Sequence, residues 1–162
     1  MKTRCSLIVV ASVAFVTVLS ASLPSARADW PQWRGPNRTD VSKETGLLQA
    51  WPQEGPAKAW LCKDVGLGYS GPAIAQGRLY TMGLRDRIEY LIALDIKDGK
   101  ELWAAKIGDA LINDWGDGPR GTPAVDGDRV YALGGQGSLI CVNAADGQVV
   151  WQKNMSEFGG HQ

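Results

Sequence analysis

Four side chains in two loops have the types that could hold a ligand. They are Tyr69, in Gly68-Tyr69-Ser70-Gly71, and Trp115, Asp117 and Arg120, in Asp114-Trp115-Gly116-Asp117-Gly118-Pro119-Arg120-Gly121-Thr122. Arginine is a natural carboxylate clamp, and loops on a rigid scaffold often carry binding. A structural reading competes with this one. Trp115 would pack under its loop and Arg120 would pair with Asp114 or Asp117, because ion pairs are common in such turns.

Other chemistry is scarce. The one histidine, His161, stands next to the end of the sequence. That leaves no HExxH zinc site and no Ser-His-Asp arrangement within the chain. Gly66-Leu67-Gly68 lacks the Lys-Ser/Thr of a P-loop and reads as a turn. Asp114 with Asp117, and Asp126 with Asp128, offer hard oxygen ligands, but no twelve-residue calcium loop surrounds them. Asp–Gly turns explain them better, so no metal site is expected. Asn37-Arg38-Thr39 fits a glycosylation sequon. Cys62 and Cys141 are read as small apolar strand residues, although an exported chain could pair them.

The two loops are held by a repeat. Pro72–Tyr80, PAIAQGRLY, returns 51 residues later as PAVDGDRVY. Leu91–Trp103, LIALDIKDGKELW, returns 48 residues later as LICVNAADGQVVW. The three-residue difference falls in the segment after Tyr80, TMGLRDRIEY, which reads as a longer hairpin loop than its counterpart ALGGQGS. Each copy has four strand-like pieces. They are 72–75, 78–82, 90–95 and 100–106 in the first copy, and 122–125, 129–133, 139–143 and 148–154 in the second. Four antiparallel strands at this period predict one blade of a β-propeller. The fold class is therefore all-β, with two four-stranded blades (71–106 and 122–154), a lone strand at 57–64 and an N-terminal extension over 29–56. Both candidate loops enter the first strand of a blade, which would place them on the rim of a central channel.

Within the repeat, Trp103 and Trp151 are expected between blades. Gly99 and Gly147 would make the turns that let the rings approach, with Ala93 or Cys141 as the small residue beneath. A propeller closes with roughly four to eight blades. Two blades and a strand therefore read as an N-terminal fragment, completed by missing C-terminal blades or by another chain.

The first 28 residues read as a secretory signal peptide. Lys2 and Arg4 precede an apolar stretch over 6–22, and Ala26-Arg27-Ala28 predicts cleavage before Asp29. Cleavage would leave 134 of 162 residues, a periplasmic or secreted location and no membrane span. It would remove three basic residues, leaving 14 basic against 17 acidic and a net charge of −3. No basic stripe is present, so nucleic acid is not an expected partner.

ALDIKDGKELW carries Ala93, Asp95, Gly99, Lys100, Glu101 and Trp103 at the spacing of a tryptophan-docking motif. Gly147 and Trp151 persist in the second copy, where Cys141, Asn143, Gln148 and Val149 replace the other types. On these residues the chain resembles the pyrroloquinoline-quinone (PQQ) repeat propellers, with an opening, DWPQWRGPNRTDVS, like that of exported planctomycete-type members. The resemblance implies one of two roles. One is a non-catalytic binding or scaffold module for a protein or small-molecule ligand. The other is a PQQ-dependent alcohol or sugar dehydrogenase, with PQQ and calcium held in the complete protein. PQQ is a tricarboxylate, which would give Arg120 a role. The adjacent-cysteine pair that the resemblance associates with quinone dehydrogenases does not occur here.

Overall fold

The computed structural model describes residues 29–160. The signal-peptide reading over 1–28 and His161 lie outside them. The described chain forms two four-stranded antiparallel sheets and one short 3-10 turn. The first sheet is β1 (Ala73–Ala75), β2 (Arg78–Arg85), β3 (Ile88–Asp95) and β4 (Glu101–Asp109). The second is β5 (Ala124–Asp126), β6 (Arg129–Leu133), β7 (Ser138–Asn143) and β8 (Val149–Asn154). Strands follow chain order in both sheets, as in propeller blades.

Alternation along each strand sorts side chains to two faces. In the first blade Tyr80, Met82, Leu91, Ala93, Trp103, Ala105 and Ile107 share one face. Val130, Ala132, Ile140 and Val142 of the second blade pack against that face in a single core cluster. The core thus lies between the blades. Ladder register supports it: Tyr80 pairs with Ala93, and Ala93 with Trp103. In the second blade Tyr131 pairs with Cys141, and Cys141 with Trp151.

One segment differs from the sequence reading. Residues 81–90 are not a long loop. The β2–β3 ladder continues to Arg85↔Ile88, leaving a two-residue turn, Asp86-Arg87. Both residues take positive φ, 47° and 66°. Such turns usually advertise themselves with glycine or asparagine, and an arginine there hides the signal. The extra length is therefore added strand. Residues 57–64, expected as a lone strand, meet no pairing strand among the described residues. Within them Trp60 sets its ring against Gly99 while its Nε1 donates to the Ile96 carbonyl at 2.9 Å.

The N-terminal segment ties the two blades together. Trp30 exchanges both backbone bonds with Ile74 of β1, at 2.7 and 2.9 Å, and the Pro31 carbonyl accepts from Val125 N of β5 at 2.8 Å. This covers edge groups that would otherwise be open for pairing.

Candidate functional site

The first loop is fixed by backbone approach. Gly66 sits at φ 92°, and a Cβ there would stand 2.3 Å from the Leu84 carbonyl oxygen. Only glycine fits, and its neighbour Leu67 bridges to Leu84 on β2. Tyr69 N then donates to the Pro119 carbonyl of the second loop at 2.8 Å. The Ser70 hydroxyl accepts from Met82 N at 3.1 Å, tying the loop end to β2.

The second loop, 110–121, is organised around Asn113. Its Oδ1 accepts from Trp115 N at 3.0 Å and from Arg120 Nη2 at 3.1 Å. Its backbone N donates to Asp117 Oδ1 at 3.3 Å. Arg120 Nη2 also donates to the Gly116 carbonyl at 2.6 Å. Gly116, at φ 111°, lies so close to the Tyr69 ring that a Cβ would fall 2.2 Å from the phenol oxygen.

The two loops therefore meet. The Arg120 guanidinium stands 5.1 Å from the Tyr69 ring centroid, a cation–π contact between the two loops. Tyr69, Asp117 and Arg120 thus share one network, and Trp115 enters it through its backbone N–H. The Trp115 side chain is 88% exposed, so the reading that buries it under the loop is corrected. Arg120 forms no ion pair with Asp114 or Asp117 among the described residues. The Gly116 carbonyl and Asn113 hold it instead, because the turn through Gly116 directs its carbonyl at the guanidinium. Asn113 had no distinguishing mark in the sequence.

The repeat residues are placed differently. Asp95 Oδ1 accepts from Lys97 N at 2.9 Å, and Gly99 N donates to the Asp95 carbonyl at 2.9 Å, closing the β3–β4 turn. Asn143 and Gly147 repeat this turn in the second blade. A Cβ on Gly147 would stand 2.6 Å from the Trp103 ring, whose Nε1 donates to the Ala144 carbonyl at 3.2 Å. Each glycine thus meets the tryptophan that precedes its own blade: Trp60 on Gly99, and Trp103 on Gly147. Lys100 N closes the same turn on Asp98 Oδ1, and the Glu101 carboxylate pairs with Arg85 at 2.6 Å. Ala93 is fully buried opposite Trp103. Trp151 is 40% exposed, with its ring 6.0 Å from Tyr131.

Sequence reasoning missed Glu89. It is fully buried at the start of β3, and its carboxylate accepts from Leu111 N at 3.1 Å and Gly135 N at 2.7 Å. The available signal was an acid inside the apolar strand IEYLIALD.

A quinone with its calcium is not fitted by these residues alone. One arginine supplies the only guanidinium of the loop pair, and its contact with Tyr69 occupies that ring's face. No group of three metal-ligating side chains occurs among the described residues. An open groove of about 810 Å³ lies elsewhere, within the N-terminal extension itself, beside Trp30, Val41 and Leu47.

Over residues 33–162 the chain matches the family described as outer membrane protein assembly factor BamB. The protein of that name from Escherichia coli (strain K12) is 29% identical over 131 residues, covering 72% of this chain and 31% of that protein. The one from Shigella dysenteriae serotype 1 (strain Sd197) gives the same figures. The chain thus spans about a third of the length of these curated relatives. The solved quinohemoprotein alcohol dehydrogenase from Comamonas testosteroni superposes with a TM-score of 0.56 at 22% identity, over 83% of this chain and 20% of that one. At that identity the likeness concerns the fold alone. With two sequential four-stranded blades and a family match along most of its length, this chain belongs to the BamB family of PQQ-like β-propellers.

Proposed function

We propose that the chain is part of an exported, non-catalytic propeller that binds a protein partner through the loop face carrying Tyr69, Trp115 and Arg120. One observation carries the reading. The docking residues of the repeat go into turns and blade packing, while an 88% exposed tryptophan stands on a loop pinned to a Tyr–Arg stack. Large exposed aromatics mark interaction sites more often than scattered aliphatic residues do. Matched relatives named as assembly factors agree with a binding role. Export rests on the leader-like residues 1–28. No helix among the described residues is long and apolar enough to cross a membrane.

The second reading is a PQQ-dependent dehydrogenase, the other role that the tryptophan-docking repeat implies; the quinohemoprotein neighbour shares the fold. In that case the cofactor supplies the redox chemistry and the protein its orientation. Its binding groups would come from blades beyond these two. The test is a photocrosslinking residue at position 115 of the complete protein in its own cells. The binding reading expects one defined protein adduct, at least tenfold weaker in the Arg120→Ala background. No adduct, or an adduct indifferent to Arg120, contradicts it.

A further inference from the structure

We infer that Glu89 is a positioning residue for the loop face: its buried carboxylate holds the root of the 110–121 loop to the second blade. The inference deepens the binding reading and rests on it for its functional meaning, though the geometry stands by itself.

Three parts of the chain converge on this carboxylate. Glu89 belongs to β3 of the first blade, Leu111 opens the loop that carries Trp115 and Arg120, and Gly135 lies in the β6–β7 loop of the second blade. Both carboxylate oxygens are used, Oε1 by Leu111 N and Oε2 by Gly135 N. The cradle admits no side chain. A Cβ on Gly134 would stand 2.8 Å from Oε2 and 2.7 Å from Ile107, and one on Gly135 2.4 Å from Leu111 Cβ. Further bonds stitch the same corner. Ala110 N donates to the Arg87 carbonyl at 3.0 Å, and Gln136 Nε2 to the Ala110 carbonyl at 3.2 Å.

A buried carboxylate is costly unless its oxygens are satisfied, and here the partners are loop amides rather than a cation. The arrangement is therefore conditional. Gly135 reaches Glu89 only when the second blade is docked. The same carboxylate sets Leu111, whose carbonyl accepts from Gly118 N at 2.9 Å, and Gly118 lies two residues before Arg120. The loop that presents Arg120 to a partner thus takes its position from blade docking, through one side chain.

Glu89→Gln tests this. The amide keeps one acceptor oxygen but turns an NH2 toward a backbone N–H, so one of the two loop amides loses its partner. Hydrogen exchange followed by mass spectrometry on the complete protein is the readout. Exchange over 110–121 and 134–137 is expected to rise at least tenfold, with strands β2, β6 and β7 at wild-type rates. Unchanged loop exchange overturns the inference. So does equal acceleration of all strands, which would mean a merely structural role. If Glu89→Gln does not fold, wild-type exchange resolved by NMR carries the test. Leu111 and Gly135 should be slow between fast neighbours Ile112 and Gln136, and fast exchange at either overturns the clip. Crosslinking at 115 is independent. Its failure with this exchange pattern intact removes the binding reading and leaves the positioning role.

Discussion

Tyr80 and Tyr131 hold the same place in successive blades, each 5.9–6.0 Å from its blade's tryptophan and tilted by 46–49°. Tyr80 is fully buried, whereas Tyr131 is half-buried. The two tryptophans differ in the same sense. Trp103 lies against Gly147 of the next blade, and Trp151 is 40% exposed beside an exposed Val149 and Val150. The local sequence gives both blades one internal geometry. The neighbour supplies the burial, and with it the stability. In repeat folds that interface term carries much of the free energy.

The sharpest way to break this comparison is to truncate both tryptophans. Trp103→Ala removes a ring held between blades and should cost about 3 kcal/mol of unfolding free energy. In the chain of residues 29–162 alone, Trp151→Ala should cost about 1 kcal/mol or less, as an exposed position does. Denaturant titration of each variant measures the gap, and equal losses would mean that the interface does not set the difference. Gly147→Ala comes next. It places a Cβ 2.6 Å from the Trp103 ring at φ 75°, and should cost about 2 kcal/mol. Gly159→Ala, at φ 77° with open space around it, isolates the backbone part and should cost about 1 kcal/mol.

A smaller effect separates the tyrosines. The Tyr80 hydroxyl is buried without a hydrogen-bond partner among the described residues. Tyr80→Phe should therefore be neutral or gain about 1 kcal/mol in thermal or denaturant unfolding. Tyr131→Phe should leave the unfolding midpoint at its wild-type position, since this half-buried residue is not among the buried hydroxyls without a partner. The smallest effect is a titration. Desolvation, and then the neighbouring Cys141, push the Tyr131 hydroxyl above its ordinary value. A raised phenol favours the folded state below the unfolded value and loses that contribution as pH rises through the folded one. Stability near neutrality is thus untouched. Ultraviolet titration should show Tyr131 ionising above an ordinary tyrosine, and lower in Cys141→Ala. No difference in Cys141→Ala would remove the thiol as a cause.

The blades were legible because their turns use side chains with local effects. Asp95, Gly99 and Asp98 act within five residues of one another, and a repeat copies the pattern to 143–147. The β2 extension was not legible, since Asp86-Arg87 adopts left-handed backbone without glycine. At 57–64 the repeat spacing was legible and the pairing partner was not. Trp60 marks the segment as repeat-like, but no adjacent strand follows in sequence to pair with it. At the loop face the four residue types were visible and their partners were not. Arg120 took a carbonyl and Asn113 in place of an acid, and Trp115 faced solvent. Glu89 joins residues 22 and 46 positions away, a separation that local pattern does not encode.

We propose that the repeat's residues serve blade docking and that partner binding falls to the loop face, without a quinone. Titrating the complete protein with PQQ and calcium, and following dye reduction with a panel of alcohols and sugars, tests it most directly. Neither saturable quinone binding nor quinone-dependent turnover is expected. Saturable binding with substrate oxidation, reduced by Arg120→Ala, would contradict the proposal and make this loop pair part of a dehydrogenase site.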